Sequence, residues 1–157
     1  MDDSKPYDSM TDTLEHRRVV AAFLNKIALD LVERGQKHDG SKLEEPEKSS
    51  FDIYTPKLKE TTYGSDEYRG FLREMKSSVQ HHYQHNRHHP EYFADSINGM
   101  SLVDLIEMLC DWMAATKRMK DGGDIGKSIQ VNTERFKIGP QLAMILENMV
   151  RDMEEKP

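Results

Sequence analysis

The chain has 157 residues, a formal net charge of -6, 36% hydrophobic and 32% charged residues, and one cysteine, Cys110. That length suits one domain with a sizeable core, and the acidic balance argues against a broad nucleic-acid-binding face. A single cysteine excludes an intramolecular disulfide and fits a reducing, cytoplasmic compartment.

No apolar run approaches the ~20 residues a membrane span needs. The opening Met1-Asp2-Asp3-Ser4-Lys5-Pro6 has no apolar stretch, so no signal peptide is predicted. Leu, Met, Ala, Glu and Lys recur and β-branched runs are scarce, which predicts an all-α protein. Residues 1–10 read as a flexible N-terminus, and residues 11–157 as one compact helical bundle. The surface leaves homo-oligomerisation open.

A first helix starts near Thr11–Thr13 and runs to about Arg34. Val20, Phe23, Leu24, Ile27 and Leu31 fall on one side of it, and Gly35 is a natural stop. His16 shares that side and is expected to point inward, either as a core histidine or as a metal ligand. His38-Asp39 follows, then Gly40-Ser41-Lys42. An adjacent His-Asp pair offers one ion a nitrogen and a carboxylate. The alternatives are that Asp39 caps a turn and that His38 is exposed.

Residues 44–64 carry a charged surface that includes Glu44, Glu45 and Glu47. Pro46 can start a short helix there and Pro56 interrupt one. Ser65 or Asp66 then caps a helix predicted to run to about His88. Tyr68, Leu72, Met75 and Val79 form its stripe, and His82 continues it. In that phase His85 and His89 sit at the edge as candidates for substrate contact. His81 and His88 project away into solvent.

Asn98-Gly99 is a turn signal. Ser101 and Asp104 suit a capping box for the most apolar helix, Leu102 to about Arg118. Its polar remainder is Asp104, Glu107 and Asp111, followed by Arg118. Carboxylates on a central helix need a cation, a basic side chain or water, and Asp111 is the best metal candidate of the three. Asp121-Gly122-Gly123-Asp124 starts a helix reaching about Phe136, and Gly139-Pro140 separates it from the last.

His16, His38-Asp39, a histidine-bearing helix and Asp111, in that order, resemble the HD-domain superfamily of metal-dependent phosphohydrolases. His38-Asp39-Gly40-Ser41-Lys42 is similar to its His-Asp-x-Gly-Lys variant, with Ser41 in place of Gly. Cys110-Asp111-Trp112-Met113-Ala114-Ala115 is similar to the helix that carries the last aspartate. The chain also resembles small phage and bacterial proteins. The superfamily resemblance implies that His16, His38, Asp39 and Asp111 hold a first metal, that His82 and His85 serve a second, and that Lys42 lies near a substrate phosphate.

Mixed His and carboxylate ligands suit one or two ions of Mn, Fe, Co, Ni or Zn. Lys42, Lys117 and Arg118 are candidates to stabilise developing charge, and His85 is a candidate general acid. The expected activity is hydrolysis of a nucleotide or another small phosphate ester, with Asp39, Lys42 and His85 catalytic. The alternatives are a non-enzymatic protein that binds a nucleotide signal or a protein partner, and a di-iron oxygenase.

Overall fold

The structure, a computed structural model, describes residues 7–62, 64–118 and 123–155. Most of the expected flexible N-terminus, and Asp121 and Gly122 of the expected turn, lie outside these. The chain is all-α, with no strand among the described residues. The helices are α1 (Met10–Lys37), α2 (Glu47–Glu60), α3 (Asp66–Glu74), α4 (Lys76–His85), α5 (Leu102–Lys117), α6 (Ile125–Phe136) and α7 (Pro140–Glu155). Short 3-10 turns span Gly40–Leu43, Pro90–Tyr92 and Ser96–Gly99. Two compact units are distinguished, residues 1–36 and residues 37–157.

The first unit is essentially α1. It passes straight through Gly35, the expected stop, and ends at Lys37. A glycine costs a helix only about 1 kcal/mol relative to alanine, too little to end a helix of 28 residues. Phe23, Leu24 and Ile27 are exposed and no residue of α1 is buried. His16 is exposed as well, which corrects the expectation that it points inward. Periodicity identifies residues that share a helix face; it does not establish that the face is covered.

The second unit is built around α5. Leu105, Met108 and Leu109 of α5 pack with Ile129 of α6, with Ile138, and with Leu146 and Val150 of α7. Leu109, Met108 and Ile129 are each only 1% exposed, so a methylene lost there leaves a void that close-packed neighbours cannot fill. On the other side α2 packs against α4 and against the Gly40–Leu43 turn, and α3 bridges α2 and α4.

Several helix starts follow the sequence signals. The Ser65 side chain accepts from the Tyr68 backbone N–H, and Asp124 accepts from Gly126 and Lys127. Ser101 and Asp104 form the reciprocal capping box. The helix predicted from Ser65 to His88, however, is two helices broken at Met75, and the second ends at His85. α2 runs through Pro56 without stopping there.

Asp104 is fully buried and also binds Arg87, with Nε–Oδ1 at 3.2 Å and Nη2–Oδ2 at 3.1 Å. A basic side chain, then, is the partner of the first carboxylate on α5. Asp104→Ala removes the cap and one partner of the half-exposed Arg87 guanidinium, at an expected cost of about 1–2 kcal/mol. Chemical denaturation of the variant, read by circular dichroism, checks this; a loss under 0.5 kcal/mol would refute the assigned role.

Candidate metal centre

The site lies wholly within the second unit. It starts where the chain leaves α1. Asp39 takes a left-handed backbone, φ 58 and ψ 16, a conformation that a short polar side chain tolerates better than most. The bend is closed by the Lys42 N–H donating to the Asp39 carbonyl at 2.9 Å. Lys42 folds back over it, with Nζ 2.6 Å from Asp39 Oδ2 and 4.9 Å from the centre of the Phe51 ring.

Three histidines meet the other oxygen of Asp39. His82 Nε2 lies 3.2 Å and His88 Nε2 3.5 Å from Asp39 Oδ1. Asp39, His82, His88 and His89 each bring one ligand atom to a cluster within 4.8 Å. Asp39 Oδ1 and the three Nε2 atoms are buried and make no hydrogen bond. Buried polar atoms almost always have partners, and four unsatisfied ones facing each other fit a cation. Two further groups adjoin this one: His38 with Asp39 and Asp111, and His38 with His88 and Glu107.

Carboxylates hold the far sides of these rings. Glu107 Oε1 lies 3.0 Å from His38 Nδ1 and 3.3 Å from His88 Nδ1. Glu47, fully buried, lies 2.7 Å from His81 Nδ1 and 2.9 Å from His82 Nδ1. A carboxylate only accepts, so each of these ring nitrogens carries the proton.

The electrostatics follow from this crowding. Burial raises the Asp39 carboxyl, but His82, the Lys42 ammonium and His38 outweigh it and hold Asp39 well below the carboxylate range. Burial likewise raises Asp111, and His38 reverses the shift. Burial also raises Glu47, and His81, Ser41 and His82 together leave it lowered. His38 goes the other way: Asp111 and Glu107 lift it from 6.5 to about 10 against burial. His89 is pushed down to about 2, first by burial and then by His88 and His82.

The sequence-predicted residues divide accordingly. Asp39, His82 and His89 converge, and His38 and Asp111 adjoin them, with His38 Nε2 3.6 Å from Asp111 Oδ1. His16 belongs to none of the metal-holding groups found among the described residues. His85 is exposed, donates from Nδ1 to the His81 carbonyl at 2.7 Å and stacks on His81. Lys117 and Arg118 are exposed at the end of α5.

Two expectations of solvent exposure are overturned. His88 is 2% exposed, because α4 ends three residues before it and Asn86 is extended, so the helical phase no longer applies. His81 is half-buried against Glu47. Glu47 itself, expected on a charged surface, sits in the first turn of α2 facing α4. Its one sequence cue was its place just after Pro46, which marks a helix start but not a direction.

The His38 shift has a stability consequence. A group whose pKa rises on folding adds stability that is complete below its unfolded value and is lost as pH climbs through its folded value. For His38 that window runs from 6.5 to about 10. In metal-free protein, the stability difference between the parent and a His38→Gln variant is expected to shrink steadily across that window. Thermal melts in chelator at half-unit steps check this; a constant difference would contradict the assigned proton.

No curated protein and no solved structure matches the chain. A family model does match, over residues 5–152. With nearly its whole length covered, and the converging residues inside the match, the chain belongs to the Family of unknown function (DUF5662).

Proposed function

We propose that the second unit is a metal-dependent phosphohydrolase that holds one divalent transition-metal ion on Asp39, His82, His88 and His89. The observation that carries this reading is the convergence of four buried, unpartnered ligand atoms. Three imidazoles and one carboxylate suit Mn, Fe, Co, Ni or Zn. When bound, such an ion makes hydroxide available near neutral pH and screens phosphate charge.

The chain's own residues supply the rest. Lys42, 2.6 Å from Asp39 Oδ2, sets a positive charge beside the ligand set, where it neutralises an anionic phosphate. His38, which the Asp111 and Glu107 carboxylates favour in its protonated form, is the candidate general acid for the leaving oxygen. It replaces His85, whose Nδ1 is committed to a backbone carbonyl. Substrates are small phosphate esters such as nucleotides. His38-Asp39 and Asp111 keep the chain order of the HD-domain resemblance, but of the first-metal ligands it implies only Asp39 stays in the proposed set, and His82, His88 and His89 take the places of His16, His38 and Asp111.

Lys42 also bears on the di-iron reading. A second ion on His38, Asp39 and Asp111 would share Asp39, and the Lys42 ammonium already occupies Asp39 Oδ2. That favours one ion per chain.

Elemental analysis of natively purified protein is expected to give one equivalent of a transition metal. Asp39→Asn and His89→Ala lose it, whereas His16→Ala and His85→Ala keep it. A phosphate-ester panel is expected to reveal turnover abolished by chelator, and Lys42→Ala should lower kcat by at least ~100-fold with the metal retained. Metal without turnover on any phosphate would leave a binding protein; no metal would end the reading altogether.

A further inference from the structure

Glu47 has no place in the ligand set or in the reaction, yet it is fully buried. A carboxylate in that position needs strong partners. Its Oε2 accepts from His82 Nδ1 at 2.9 Å and from Ser41 Oγ at 3.0 Å, and its Oε1 from His81 Nδ1 at 2.7 Å.

Asn86 completes the arrangement. Its Nδ2 lies 2.9 Å from His82 Nδ1, but it donates to Ser41 Oγ and to the His82 carbonyl, each at 2.8 Å. Both amide protons are thereby used. Ser41 in turn passes its own proton to Glu47. The His82 Nδ1 proton therefore goes to Glu47 at 2.9 Å, with Ser41 Oγ a longer acceptor at 3.2 Å, and its lone-pair nitrogen is Nε2, the atom 3.2 Å from Asp39 Oδ1.

We propose that Glu47 is a positioning residue that fixes His82 as the Nδ1–H form, presents Nε2 to the cation, and thereby sets metal affinity. The inference rests on the metal reading above. A carboxylate on the outer nitrogen of a ligating histidine typically accounts for 10–100-fold in affinity, because it locks the ring and raises its basicity. Glu47 reaches His82 across the α2–α4 packing, so the same contact ties two helices to the site. His81 shares this carboxylate through its other oxygen, and serves as the internal control.

Cobalt(II) is a suitable probe, since its paramagnetism shifts the ring protons of bound histidines out of the crowded spectrum. In cobalt-loaded parent protein, His82 is expected to show a slowly exchanging Nδ1–H, with binding through Nε2. Glu47→Gln should bind cobalt about 10–100-fold more weakly and exchange that proton faster. His81→Ala should stay within about threefold of the parent, since Oε2 still holds His82. Binding through His82 Nδ1 in the parent, which needs no variant, would overturn the proposal. So would Glu47→Gln affinity within about threefold of the parent. Either result leaves the metal reading intact, whereas a parent that binds no cobalt overturns both.

Discussion

The second unit depends on a constraint of burial. Asp39 Oδ1 and the Nε2 atoms of His82, His88 and His89 are cut off from water without hydrogen-bond partners. Each such atom costs on the order of 1–3 kcal/mol, and a small domain has only about 5–15 kcal/mol of net stability in all. Four of them in one place are hard to sustain as a purely structural feature. On the proposed reading a cation answers all four at once, with the surrounding contacts as its support. Glu107 and Glu47 hold the outer nitrogens of His38, His88 and His82, and Lys42 balances the second oxygen of Asp39.

The fold was legible where local chemistry decides it. Ser65, Ser101 and Asp124 cap helices as their side chains allow, and Pro140 opens α7. The apolar excess of α5 marked it as central, and it supplies Leu105, Met108 and Leu109 to the core. Gly35 and Pro56 misled for one reason: each costs a helix less than the surrounding turns return, so α1 and α2 continue through them.

The site was legible only in part. His38-Asp39 and Asp111 stand out as residue types, and His82 lies on a helix face that period alone can find. His88 and His89 lie past the end of α4. There orientation is set by the extended Asn86 and the turn at Pro90, and a helical projection assigns His88 to the wrong side. Glu47 is harder still. Its histidine partners are 34 and 35 positions away, and no local pattern separates it from its exposed neighbours Glu44 and Glu45.

The placement of the ligands has a mechanical meaning. Three come from the stretch His82–His89 and the fourth from Asp39, roughly 40 positions earlier. An ion bound to all four would act as a cross-link, closing a loop that contains all of α2 and α3. Closing a loop of that length removes chain entropy from the unfolded state much as a disulfide does. A chain with one cysteine has no internal disulfide to do this, and the ion would be its reversible counterpart. Loading and release would then tighten or loosen the α2–α4 half of the unit, while the α5–α6–α7 core, which contributes none of the four ligands, would hold its packing throughout.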